Sequence, residues 1–299
     1  MNEKIKVCNN LDEVTEFLHE HKGLKVCLYL AYKTIDEWEK STSRIYMNQI
    51  SNNFAYLPVN IEKDNIELIR KIYELSEEND QIVAINQTQP HKSNPILKEW
   101  FANQNLPNID SLVKNQDKKL ICYNLNGPAF TGWFEDEVCR FYNKSVIVFG
   151  VGGVGEPIAR DIARKKCKKL YLVDINSKES LVKELSKETE VYYAKKISDV
   201  NFAINEFILI NCAGKEGADD KEIRKVIENF KNLNNIFVDL RPQLNIELVN
   251  ISKEFGWNAF TGFGMNARND YALLEKIKEI TNIDIPTFMD FAELVKHAS

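Results

Sequence analysis

Four glycines, Gly150, Gly152, Gly153 and Gly155, stand in SVIVFGVGGVGEPIARDIARKK, a β-branched apolar run that turns through G-x-G-x-x-G and continues as an amphipathic helix. In that setting the first glycine permits a tight turn, and the second lets a pyrophosphate approach the backbone. The third lets helix and strand pack closely, with the helix N-terminus facing the phosphate charge. Pro157 falls in the first helical turn, where an amide has no intrahelical partner to lose. The next apolar run, LYLVD, ends in Asp174, about 20 residues on, where an acid grips ribose hydroxyls. A carboxylate there accepts from a 2′-hydroxyl and repels a 2′-phosphate, so the expected cofactor is NAD, with NADP less favoured; Lys178 nearby works against this preference. Further cofactor contacts are expected at Val154 in the turn, Asn176 beyond the acid, Asn211 and Ala213 ending FILINCA, and Gly262.

A second concentration of chemistry follows the apolar run QIVAI: the segment NQTQPHK carries the amide of Asn86, the hydroxyl of Thr88 and the ammonium of Lys92. Alone it reads as a polar loop that ends a strand. Beside a dinucleotide turn it reads as half of an active site. Oxidising an alcohol by hydride transfer requires its hydroxyl proton to leave, and a partly desolvated lysine has its pKa lowered toward that task.

The elements that must position these groups alternate. Short apolar runs such as KVCLYLA, FAYLPVNI, KLICYN and NIFVDL recur between helical segments, the pattern of an α/β fold. IELIRKIYELSEE repeats apolar residues at helical spacing and reads as core. LDEVTEFLHEH and the last forty or so residues read as further helices. At 299 residues, two domains are expected: a substrate domain over 1–128, a nucleotide domain over 129–257, and a C-terminal return, 258–299, to the first.

Composition narrows the classes. The net charge of −5 is spread along the chain and offers no nucleic-acid surface. Six separated cysteines and four histidines signal neither a disulfide framework nor a metal site. No signal-peptide core or membrane-length apolar run occurs. The expectation is a cytoplasmic protein, monomeric or homodimeric, acting on a small molecule.

Over roughly residues 25 to 275 the chain resembles the shikimate dehydrogenases. Their N-V-T-x-P-x-K is similar to residues 86–92, and their S-x-S-P-x-x-H-N to STSRIYMN (41–48). Their A-V-N-T-L and N-T-D-G-x-G-F are similar to NIDSL (108–112) and NLNGPAF (124–130), and their G-x-G-M-L-V-x-Q to GFGMNARN (262–269). The resemblance implies that Lys92 is the general acid/base, that Ser41 and Ser43 hold a substrate carboxylate, and that Asn86, Thr88 and Asn269 orient the ring. It implies a two-domain fold whose C-terminal helices return to the first domain, and a cyclic hydroxy acid related to shikimate or quinate, or an amino analogue, as substrate.

Several positions depart from the family. Its NTDG aspartate is Asn126 here, while its AVNTL asparagine is Asp110. One reading is an exchange, with Lys92–Asp110 replacing the family's Lys–Asp pair at direct or one-water distance and Asn126 keeping a hydrogen-bonding role. The other is unrelated drift in a nucleotide-binding regulatory or scaffold protein that has lost activity. A methylene-tetrahydrofolate dehydrogenase-like enzyme is a further alternative, disfavoured by the serine and lysine motifs. Arg44, Arg241 (followed by Pro242) and Arg268 stand at non-arginine positions of the family, and would suit a more anionic substrate or form ordinary surface charge.

Overall fold

The computed structural model describes residues 5–88, 90–102, 108–200, 206–213, 220–231, 234–241 and 245–298. Gln89 and Pro242 lie outside the described residues. Two compact units emerge, residues 1–125 with 270–299, and residues 126–269.

In the first unit β1 (Lys25–Ala31), β2 (Phe54–Asn60), β3 (Ile82–Gln87), β4 (Ser111–Lys114) and β5 (Leu120–Tyr123) form one sheet ordered β2-β1-β3-β4-β5. β1 runs parallel to β2 and β3, and β4 is antiparallel to β3 and β5. β1 is buried along nearly its whole length, as a central strand covered on both faces must be. Helices α1 (Leu11–Glu20) and α4 (Ile66–Glu78) place Val14, Leu18, Ile69 and Ile72 in the core beneath it. Asn10 and Asn65 cap them by accepting from the amides of Glu13 and Leu68. The short helices α2 (Ile35–Glu39) and α3 (Thr42–Met47) follow β1, and α5 (Pro95–Trp100) follows β3.

The second unit opens with α6 (Asn126–Glu137) and holds an all-parallel sheet in the order β11-β10-β9-β6-β7-β8. Its strands are β6 (Ser145–Phe149), β7 (Lys169–Val173), β8 (Glu190–Ala194), β9 (Ile208–Asn211), β10 (Ile236–Asp239) and β11 (Asn258–Thr261). Alternate residues of β6 feed different layers: Val146 and Val148 pack with α7 (Gly155–Arg164), while Ile147 and Phe149 pack with α9 (Asp220–Asn229) and α10 (Glu247–Glu254). α8 (Glu179–Leu185) links β7 to β8. Reading outward from β6, this is the doubly wound order of a Rossmann domain.

α11 (Phe263–Ile280) carries the chain back to the first unit, where α12 (Phe288–Ala298) ends it. Residues 258–261 pair with β10 instead of joining that return, which starts within α11 at Asp270. β8 and β11, absent from the expected runs, occupy the two edges of the sheet.

Candidate functional site

In the first unit the lysine loop is pinned from several sides. Gln87, fully buried, accepts from the Tyr73 hydroxyl at 2.8 Å and donates to the Ile109 carbonyl at 2.9 Å. The Thr88 amide bonds the Leu30 carbonyl at 3.0 Å, and the chain closes a 3₁₀ turn over His91–Ser93. The buried His91 ring meets the Ile61 carbonyl at 3.1 Å, and the Lys92 carbonyl accepts from Ile109 at 3.0 Å. Asn94 then caps α5 through the Leu97 amide. Lys92 thus starts from a fixed backbone, which is what a proton-transferring side chain requires. Asn86, on β3, donates to the Tyr56 hydroxyl at 2.7 Å.

Two buried acids share the electrostatics of Lys92. Asp110 is 2% exposed and accepts the Leu125 amide on both oxygens, at 3.0 and 3.1 Å. Asp270, on α11, is 7% exposed and accepts from the Tyr46 hydroxyl. Burial pulls the Lys92 pKa below the usual lysine range, and Asp110 and Asp270 oppose that pull. Burial pushes the Asp270 carboxyl up to about 6, against the hydrogen bond from Tyr46 and the charges of Lys92 and Lys33. Among the described residues Lys92 makes no direct ion pair with Asp110. The Asp110 carboxylate, held by the Leu125 amide, couples to Lys92 electrostatically.

Ser41, 7% exposed, stands at the N-cap of α3 without capping it, and Ser43 is half-buried in the first turn. Arg44 donates to the Trp38 carbonyl at 3.2 Å instead of offering its charge to a ligand. Neither Asp270 nor Lys33 was a candidate from sequence. Asp270 carries a legible signal, since it follows Ala267 by three and precedes Leu274 by four on the apolar stripe of α11. A carboxylate in such a stripe must be buried.

In the second unit Gly150 has φ +84°, and a Cβ there would lie 2.6 Å from the Ala213 nitrogen. A Cβ on Gly155 would meet the Gly150 carbonyl, whereas one on Gly152 would meet nothing within 4 Å. The cradle is therefore open where a pyrophosphate must approach and closed where helix and strand must touch. Gly153 and Val154 complete the turn, Val154 as N-cap of α7. These residues fit a dinucleotide. Asn211 ends β9 beside Phe149 of β6, accepts the Ala213 amide at 3.2 Å and donates to Asp239 at 3.0 Å. Gly262 packs against the Leu240 carbonyl.

Asn126 and Asn269 meet directly within this unit, Asn269 Nδ2 donating to Asn126 Oδ1 at 3.1 Å. Arg241 is committed elsewhere: it forks onto Asp239 at 2.7 and 2.9 Å and reaches Asp220 at 3.3 Å. Arg268 pairs with Asp136 at 2.9 Å. Of the two readings offered for the new arginines, these pairs favour structural or surface charge for Arg241 and Arg268.

The glycine geometry separates folding from binding. Gly152→Val is expected to leave the melting temperature nearly unchanged while weakening dinucleotide binding at least about tenfold in calorimetric titration, because its side chain fills the phosphate approach. Gly155→Val should fail to fold stably. A Gly152→Val protein with wild-type affinity would refute this division of roles.

A six-stranded parallel sheet with this turn defines the second unit as a Rossmann nucleotide-binding domain. No family model matches the chain. A shikimate dehydrogenase (NADP(+)) of Desulforamulus reducens is 24% identical over 173 residues, 56% of this chain and 57% of its own length. The match therefore spans little more than half of that relative. One from Methanococcus vannielii is 25% identical over 229 residues, 73% of this chain and 79% of its own length. The crystal structure of shikimate dehydrogenase from Aquifex aeolicus superposes with a TM-score of 0.67 at 14% identity, covering 93% of this chain and 98% of that one. The chain is similar to the shikimate dehydrogenases, as a divergent sequence, and shares their two-domain fold.

These relatives overturn the expected preference for NAD. Curated relatives from Desulforamulus, Methanococcus, Methanocaldococcus and Caldicellulosiruptor all carry NADP(+) in their names. The physical reason lies in the environment of Asp174. One oxygen accepts the Val151 amide and the other the Asn176 amide, each at 2.8 Å, and Lys178 Nζ stands 4.0 Å away. Two backbone amides and a neighbouring ammonium partly offset its charge, which weakens the repulsion of a 2′-phosphate on which the expectation of NAD rested.

Proposed function

We propose that this chain is an NADP-dependent dehydrogenase that interconverts a secondary alcohol and a ketone on a cyclic hydroxy or amino-hydroxy carboxylic acid. The observation that carries the reading is Lys92, rigidly based, depressed in pKa by burial, and coupled to two buried acids. The bound nicotinamide supplies hydride exchange. Lys92 takes the alcohol proton during oxidation and returns one during reduction. Asp110 and Asp270 keep the charged form of Lys92 accessible in a site whose burial disfavours it. Asn86 and Thr88 flank Lys92 and orient ring hydroxyls, and Ser41 and Ser43 donate to the substrate carboxylate.

The test is turnover against shikimate, quinate and amino-shikimate with NADP⁺, alongside calorimetric titration of NADPH and NADH. Reduction of NADP⁺ by one of these acids, with tighter NADPH binding, is the expected result. Lys178→Glu should weaken NADPH selectively, by roughly tenfold for one lost charged contact to phosphate. NADPH binding without turnover on any ring acid would favour a nucleotide-binding protein that has lost catalysis.

A further inference from the structure

Lys33 lies between β1 and α2, four residues after Tyr29. Its amide is anchored on the Asn60 side chain at 3.0 Å. Its ammonium donates to the Tyr29 hydroxyl at 2.9 Å and to the Ser41 hydroxyl at 3.1 Å. It also stands 4.9 Å from the centroid of the Tyr29 ring and 4.9 Å from that of Trp38. Tyr29, Trp38 and Ser41 are all buried, and the edge of the Trp38 ring packs on Tyr29. A lysine is thus held in one place by two ring faces and two hydroxyls. Among the described residues no carboxylate forms an ion pair with it, and the buried Asp270 feels its charge from farther off.

The hydrogen-bond directions are informative. Because the Ser41 and Tyr29 oxygens both accept from the ammonium, each hydroxyl keeps its own proton to donate, and among the described residues neither donates elsewhere. Ser41 is also released from the work its position would suggest, since it stands at an N-cap and makes no capping bond. Two hydroxyl protons and the remaining ammonium proton therefore gather around one positive charge, an arrangement complementary to a carboxylate.

We infer that Lys33, with Ser41 and Tyr29, forms a cation-assisted carboxylate site that fixes the acidic end of the substrate. The inference rests on the dehydrogenase reading for the identity of the ring acid, and it adds a lysine that neither the motifs nor the relatives assign. Lys33 and Lys92 both act on the charge of Asp270, so this site and the proton-transferring lysine belong to one electrostatic neighbourhood of the first unit. Lys33 is a specificity-determining residue: it sets which molecules are held, while Lys92 handles the proton.

The experiment is a nuclear magnetic resonance titration of the full chain with cyclohexanecarboxylate and with cyclohexanecarboxamide, two ring probes that differ only in the charged group. Wild type should bind the carboxylate at least about tenfold more tightly than the amide. Lys33→Met should lose roughly 10- to 100-fold for the carboxylate and little for the amide, the loss expected for a charge-assisted hydrogen bond. Lys33→Arg should recover part of the loss, and Ser41→Ala should lose less than Lys33→Met. Equal carboxylate binding by wild type and Lys33→Met, or a wild type that does not distinguish the two probes, would overturn the inference. The second comparison decides even if Lys33→Met does not fold. No turnover is involved, so selective carboxylate binding without dehydrogenase activity would refute only the enzymatic reading. Conversely, turnover with an unchanged KM in Lys33→Met would refute only the role of Lys33.

Discussion

Lys92→Met is expected to lower kcat by roughly 10²- to 10⁴-fold, the usual contribution of a positioned acid/base, while calorimetric NADPH affinity stays at the wild-type level. The nucleotide cradle is built from residues of the second unit. Lys92→Arg should not rescue turnover, because a guanidinium holds its charge and cannot accept the alcohol proton. The pH profile gives an independent sign. Alcohol oxidation needs neutral lysine, so kcat/KM for oxidation should rise with pH through the Lys92 pKa. Burial places that limb below the ordinary 10.5. Asp110 and Asp270 raise the same pKa, so Asp110→Asn should move the limb to still lower pH. Retention of more than about a tenth of wild-type turnover by Lys92→Met would remove this lysine from the chemistry, since even the weakest general catalysis contributes more.

The fold was legible wherever one physical signal dominated. β1, β6 and β7 lie inside their sheets, and they read as unbroken apolar runs because both faces are covered. β8 and β11 did not read as strands because each is a partly exposed edge: EVYYA leaves Glu190 and Tyr192 exposed, and NAFT leaves Asn258 exposed, whereas the edge strand β2 is buried almost throughout. An edge strand needs fewer apolar residues and takes its place from pairing with β7 or β10, which no local pattern records.

The site divides along the same line. Lys92, Ser41 and the glycine turn stood out as candidates because their spacing lies within short segments of the chain. The Lys33–Ser41–Tyr29 cluster was not, since a loop lysine resembles any solvated charge until the aromatic box closes round it. The fate of the arginines was equally hidden. Asp239 precedes Arg241 by two residues, yet only the buried end of β10 shows that this acid must consume the guanidinium. Asp174 was read from position as a ribose ligand, and its two backbone donors became visible only with the turn folded against it.

Asp270→Asn is expected to stabilise the protein, with a sign that depends on pH. The carboxyl titrates at about 6 in the folded chain against an ordinary 3.8, so the native state binds its proton more tightly than the unfolded state does. Stability therefore falls as pH rises from about 4 to about 6, and above that window the buried carboxylate costs about 3 kcal/mol, at roughly 1.4 kcal/mol for each pH unit of displacement. Asparagine retains an oxygen to accept the Tyr46 hydroxyl and carries no charge to desolvate. Urea unfolding at about pH 7.5 should show the variant more stable by about 1 to 3 kcal/mol, and at about pH 4 the gain should vanish, because there Asp270 is protonated in the folded state. A variant no more stable than wild type at the higher pH, or equally stabilised at both, would show that the carboxylate is not held against its desolvation. A costly acid is kept where it serves the site, and the service expected here is to Lys92. The same substitution should lower the alkaline limb of oxidation, since one of the two charges that raise the lysine pKa is gone. Stabilisation with an unmoved limb would separate the two effects and leave Asp270 a buried acid tied to Tyr46 alone.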